Sequence, residues 1–182
     1  MPSELLAPPR PSSRVRNLEK LKQRYSNQTL WIDECEFGLG VFARRAIRCS
    51  ETILAFGGPV IDFAETKRRG EWECRAIQIG QNRYIDTLPP GVFVNHSCAP
   101  NAGVRHDREL VALRSIHPGE EICFDYSTTM EEQSFRMHCG CGTPECRHII
   151  GDFSDLPPAV QQRYLSQGLV MRFIARRFRT SG

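Results

Sequence analysis

Three cysteines crowd into the stretch Cys139-Gly140-Cys141-Gly142-Thr143-Pro144-Glu145-Cys146, separated by small, turn-forming residues. Such a backbone folds sharply around a small centre. Its thiolates suit tetrahedral zinc, which takes four N or S ligands at about 2.0 to 2.3 Å. A disulfide is the competing use of these sulfurs, but Cys139 and Cys141 are too close in sequence to bridge easily. The trio supplies three ligands, and His138 and His148 stand near enough in sequence to complete the set. A second polar run, Asn95-His96-Ser97-Cys98-Ala99-Pro100-Asn101, concentrates amides, an imidazole, a hydroxyl and a thiol. Buried in a strand, those groups would go unpaired, so the run predicts a shaped loop leaving a β-layer after Val92-Phe93-Val94. Two further stretches carry potential chemistry. Gly38-Leu39-Gly40 is a tight turn that admits another backbone or a ligand at close range. Gly119-Glu120-Glu121-Ile122-Cys123-Phe124-Asp125-Tyr126 ends a strand on tyrosine, which ordinarily buries its ring and turns its hydroxyl to solvent.

The elements that must position these groups are short. The 182 residues suffice for one good core and not for two large domains. A net charge of +3 demands no nucleic-acid partner. The apolar runs are a handful of residues, so none predicts a membrane span. Pro2, Pro8, Pro9 and Pro11 lie among serines and arginines with no apolar signal-peptide core, which predicts a soluble intracellular protein with reduced thiols. Residues 1–13 read as disordered and 14–24 as a short basic helix. Alternation and turn signals predict strands over 29–32, 41–43, 52–56, 59–61, 77–79, 84–85 and 122–124, with a hairpin of 104–105 and 110–113. The segment 62–75 is charged, with Lys67-Arg68-Arg69 and a single Trp72. After Pro157 the apolar spacing becomes helical and predicts two helices. Cys35, Cys49, Cys74 and Cys123 read as ordinary buried thiols. Residues 41–53 also echo residues 110–122, each unit running strand, connector, Glu-bearing turn, strand. That echo favours several small sheets over one large one, though two units make no repeat architecture.

Taken together, the motifs resemble those of SET-domain protein-lysine methyltransferases. Asn-His-Ser-Cys-x-Pro-Asn is similar to the family's central signature, and Gly119 to Tyr126 is similar to its Gly-Glu-Glu-Leu-x-x-Asp-Tyr. Gly38-Leu39-Gly40 resembles the Gly-x-Gly near the start of the domain, and the C-terminal cysteines resemble a post-SET segment. The resemblance covers residues 37 to 147. It implies a mainly β fold with some helix, built of several small sheets around a pseudoknot. The implied parts are a basic extension over 1–24, the SET domain over 25–130, a zinc-bound post-SET segment over 131–150 and a helical tail over 151–182.

The resemblance also implies roles. Phe37, Gly38, Leu39, Gly40, Asn95 and His96 would contact S-adenosylmethionine, and Cys98 would join Cys139, Cys141 and Cys146 on Zn2+. Tyr126 would be catalytic. Phe124, at a position that is tyrosine or phenylalanine in the family, would admit di- or trimethylation. The partner would be a protein lysine, with a histone tail as first candidate, which would place the protein in the nucleus on chromatin. A non-histone target such as a ribosomal protein is the second candidate. A SET-like module without catalysis is the third, fed by basic termini (Arg14, Arg16, Lys20, Lys22, Arg24; Arg172, Arg176, Arg177, Arg179) that could contact nucleic acid. Such charges usually form a solvated face. The chain departs from the family at Val92, where many members have arginine, and at Phe56-Gly57-Gly58-Pro59 in place of Tyr-x-Gly-Glu. The segment between Ile61 and Tyr84 is short, and no cysteine-rich region precedes the domain. These departures bear on substrate choice.

Overall fold

A computed structural model of the chain describes residues 18–70 and 75–179. The expected disorder of 1–13, Arg14, Arg16, Trp72 and Cys74 lie outside the described residues. Within them, short strands follow one another: β1 (Leu30–Cys35), β2 (Gly38–Ala43), β3 (Thr52–Ala55), β4 (Val60–Ile61), β5 (Ala76–Gly80), β6 (Arg83–Asp86), β7 (Asn95–His96), β8 (Ala102–Arg105), β9 (Glu109–Ala112), β10 (Cys123–Phe124), β11 (Met137–His138) and β12 (Ile149–Ile150). They pair as small sheets: β1-β2, β3-β9-β8, β4-β6-β5, β7-β10 and β11-β12. The helices are α1 (Leu18–Tyr25), α2 (Phe63–Arg68), α3 (Pro158–Gln167) and α4 (Arg172–Arg179). Several small sheets with few helices is the architecture expected. No helix among the described residues is long and apolar enough to cross a membrane.

The sequence echo is a structural pseudo-two-fold. Equivalent positions differ by 69 (110 − 41). Ile47 and its equivalent Ile116 exchange both backbone hydrogen bonds, each 2.9 Å. Ser50 N donates to Ala112 O at 2.8 Å, and the equivalent pair, Gly119 N to Ala43 O, is also 2.8 Å. The Arg45–Glu51 ion pair at 2.6 Å likewise mirrors Arg114–Glu120 at 2.8 Å. Both connectors turn through a left-handed residue, Ser50 at φ 67° and Gly119 at φ 86°. The two units therefore face each other about Ile47 and Ile116, both fully buried. Their burial removes apolar surface from water on both sides of one axis, which is the main stabilising term available to sheets this small.

Helices α3 and α4 pack into that same core. Tyr164, Leu169, Met171 and Ile174 are buried in one cluster with Leu30, Val41, Leu110 and Ile122. Helix α3 starts at a proline pair and stops at Gly168, whose φ of 67° suits a residue without Cβ. Helix α2 falls in the charged segment that carried no predicted element. Asp62 caps it by accepting from Glu65 N at 2.8 Å, and Glu65 in turn holds Arg69 at 2.8 Å.

Two expectations are corrected. Cys49 is exposed, with its thiol donating to Leu113 O at 3.4 Å, because it sits on the outer turn of the pseudo-symmetric connector. The run from Asn95 to Asn101 is a loop only from Ser97 on. It begins as strand β7, and His96, Ser97, Cys98 and Asn101 are buried. Burial is tolerated because the polar groups find partners: Asn101 donates to Glu121 O at 2.7 Å and accepts from Cys123 N at 3.0 Å.

Candidate active site

Strands β7 and β10 run parallel, pairing Asn95 with Cys123 and Phe124 with His96. This brings the polar run beside the strand that leads to the tyrosine. Asn95 Nδ2 then reaches Leu39 O at 3.1 Å, Glu121 Oε1 at 2.7 Å and Cys35 Sγ at 3.3 Å. One amide thus ties Gly38-Leu39-Gly40, the start of β2, to the second glutamate of Gly-Glu-Glu. A Cβ at Gly40 would stand 2.5 Å from Glu121 Oε1, so a larger residue there would push Glu121 off Asn95. Gly38, at φ 112°, faces open space with nothing within 4 Å of a built Cβ. A half-buried glycine backbone that faces open space beside a fixed amide is a fit for a nucleoside cofactor, and Phe37 stands exposed at its margin.

Phe124 closes β10, Asp125 caps the next turn, and Tyr126 opens the 3-10 helix Tyr126–Thr129. Tyr126 is therefore not on the strand, yet the ring centroids of Phe124 and Tyr126 lie only 4.9 Å apart. Both line a cavity of about 50 Å³ together with Val92, Val94, Met130 and Phe135. Phe56 packs on Phe124 from outside at 5.6 Å between centroids. The Tyr126 hydroxyl donates to Val94 O at 2.8 Å. The Tyr84 hydroxyl, on the same wall, donates to Glu132 Oε2 at 2.5 Å.

His96 joins this cavity wall to the cysteines. Tyr126 N donates to its Nδ1 at 3.1 Å, which makes Nδ1 the acceptor nitrogen. Nε2 then carries the proton and donates to Cys98 Sγ at 3.2 Å. Burial, opposed by the Asp125 charge, holds the imidazole down to about 4, so the ring is neutral near pH 7. The 3.6 Å separation of Nδ1 and Asp125 Oδ1 is accordingly no ion pair. With both ring nitrogens occupied, His96 has its backbone and ring edge left for any cofactor.

The sulfurs of Cys98, Cys139, Cys141 and Cys146 all lie within 4.8 Å of one another. Cys98 and Cys139 are 3.7 Å apart, against an edge of about 3.8 Å for a tetrahedron with bonds near 2.3 Å. The donor set and spacing fit zinc. His138 is exposed, and His148 takes part through its backbone, accepting from Cys139 N at 2.8 Å. Of the ligand choices open to the sequence, the fold brings Cys98 to the trio. As thiols the four are uneven: burial pushes Cys98 up to about 11 and Cys139 higher still. Burial also opposes ionisation at Cys141, but the Thr143 hydroxyl at 3.3 Å helps hold it down to about 6. A divalent cation would ionise all four. Arg147 N, next in the chain after Cys146, donates to Cys98 Sγ at 3.4 Å.

A model of the SET domain matches residues 38–127 of this chain, from the start of β2 through Tyr126. The chain belongs to the SET-domain family. It is 32% identical over 154 residues to the histone-lysine N-methyltransferase trr of Drosophila melanogaster, covering 74% of this chain and 6% of that protein. It is 31% identical over 142 residues to the histone-lysine N-methyltransferase mes-4 of Caenorhabditis elegans, covering 63% and 16%. The match to the human histone-lysine N-methyltransferase 2B is 30% over 129 residues, covering 62% and 5%. This chain thus spans 5 to 16% of the length of these relatives.

Sequence reasoning missed several residues of this SET site. Glu121 stood in the Gly-Glu-Glu motif without a role of its own, but it is the acceptor that seats Asn95 against Gly40. Tyr84 and Glu132 are 48 residues apart and carried no motif. Asp125 lay inside a quoted motif without a role, although its side chain is fully buried and receives the Arg147 guanidinium at 2.7 and 2.9 Å. A charged residue between two aromatics at a strand end was the available signal, since a buried carboxylate needs a cation.

Proposed function

We propose that this chain is an S-adenosylmethionine-dependent protein-lysine N-methyltransferase that carries its product to di- or trimethyl-lysine. The observation that carries the reading is the narrow cavity walled by Phe124 and Tyr126, with Tyr126 tied by its backbone to His96. Phe37 to Gly40, Asn95 and the His96 backbone would hold the cofactor, whose sulfonium supplies the methyl group when bound. Cys98, Cys139, Cys141 and Cys146 would hold one Zn2+ as a structural clamp. We read 25–130 as the catalytic part, 131–150 as the metal segment and 151–182 as a helical tail.

A free lysine amine has a pKa near ~10.4 and arrives protonated at neutral pH. The Glu132 carboxylate on the cavity wall attracts that ammonium. Deeper in, Ile77, Val92, Val94 and Phe135 remove water from it, and desolvation favours the neutral, nucleophilic amine. Tyr126 orients the amine through its phenol oxygen, a positioning role. Phe124 puts no second hydroxyl beside the nitrogen, which leaves room for a methylated amine to turn.

The similar proteins are named histone-lysine N-methyltransferases, so a histone tail is the first substrate to try and the nucleus the compartment it implies. The test is labelled S-adenosylmethionine incubated with the protein and either a histone mixture or total cell extract. Label in histone bands is the expected result. Label confined to other proteins moves the substrate assignment, and no label in either, with cofactor bound, replaces the enzyme with a binding module.

A further inference from the structure

The Asp125 carboxylate collects bonds from three parts of the chain. Oδ1 accepts from Ser127 N at 3.1 Å and from Arg147 Nη2 at 2.7 Å. Oδ2 accepts from Arg147 Nη1 at 2.9 Å and from the Tyr164 hydroxyl at 3.0 Å. Two oxygens offer about four acceptor sites, and these donors fill them. The carboxylate is 0% exposed, so no water substitutes for a lost donor. Burial, reinforced by the Asp125 charge, raises the Tyr164 hydroxyl above its ordinary value and keeps it a donor.

Arg147 and Tyr164 both lie beyond residue 127, where the SET match ends. One follows the cysteine trio, and the other sits at the buried face of α3. What they grip is the cap of the turn that carries Tyr126: Asp125 holds Ser127 N by its side chain, and its carbonyl receives Thr128 N at 3.0 Å. Tyr126 is also held by bonds to His96 and Val94, by the Thr129 hydroxyl donating to its carbonyl at 2.9 Å, and by ring contacts with His96 and Phe124.

We propose that Tyr164 and Arg147 are positioning residues for methyl transfer, acting from the C-terminal helix and the cysteine segment through Asp125 on the turn that carries Tyr126. The proposal rests on the methyltransferase reading above and adds to it. The C-terminal helices become a working part of the active site. Loss of either donor leaves a buried lone pair unfilled, and the turn must shift to fill it. A small misplacement of an orienting group costs rate more than it costs binding.

Tyr164→Phe removes one oxygen and leaves the ring packed in the core. The expected result is a kcat lower by roughly tenfold or more, with peptide KM and cofactor affinity within about twofold. Zinc content should not change. Backbone amides of Ser127 and Thr128 should exchange faster with solvent. Arg147→Lys, which keeps the charge and loses the two-pronged fork, should give the same pattern. A residue that only stabilises the fold would lower Tm and leave both kcat and those two amides alone, and that result overturns the proposal. Amide exchange needs no turnover. An inactive wild type would therefore count against the methyltransferase reading, while unchanged exchange in Tyr164→Phe would count against this one.

Discussion

Replacing Tyr126 by phenylalanine separates what its hydroxyl does for stability from what it does for chemistry. The ring stays wedged between His96 and Phe124, at centroid distances of 5.3 and 4.9 Å, so no cavity opens. What disappears is the 2.8 Å bond to Val94 O. Val94 is 2% exposed, so its carbonyl loses this donor in a dry place. An orphaned buried acceptor costs about 1–3 kcal/mol. At about 2 kcal/mol, a chain of this size should lose roughly 4–8 °C in Tm. The kinetic loss should be of another order. Without the phenol oxygen the amine is held only by the cavity walls, and misorientation on the ångström scale costs about a hundredfold. Single-turnover methylation at saturating cofactor measures the second quantity and calorimetric melting the first. Cofactor affinity should hold, because the hydroxyl bonds the Val94 carbonyl while the cofactor is assigned to the start of β2 and Asn95. A variant that melts as expected and still turns over at the wild-type rate would refute the orienting role.

Three other outcomes are expected. Metal analysis should find one zinc per chain, and Cys98→Ser should lower it; full retention would take Cys98 out of the centre. Gly38→Trp should abolish S-adenosylmethionine binding, since the indole would enter the open space the backbone now faces. Because φ there is 112°, circular dichroism must show the variant folded, and unchanged calorimetric affinity in folded protein would refute the cofactor assignment. At long incubation, mass spectrometry should find di- or trimethylated peptide with wild type and monomethylated product with Phe124→Tyr. Monomethyl product from wild type, with Phe124→Tyr no different, would mean that this residue does not set the limit.

The local chemistry was legible before any fold was known. Thiols spaced by glycines identify a metal segment wherever the chain goes, because ligand type and backbone freedom are properties of the residues themselves. The same holds for the apolar spacing of α3 and α4 and for the strand pairs that follow tight turns, which depend on contacts a few residues apart. The echo between 41–53 and 110–122 was visible as a likeness. Only the structure turned it into an axis, because a likeness between segments does not say that they face each other. Where the sequence misled, at Asn95 to Asn101, it did so by pricing burial without partners. Those partners, Glu121, Cys123 and Leu39, come from strands distant in sequence. Asp125 shows the same division. Its charge is local information, but Arg147 and Tyr164 reach it only because the cysteine segment and α3 fold back over β10. A long-range hydrogen bond needs two chain segments at one point in space, and no periodicity along a single segment records that meeting.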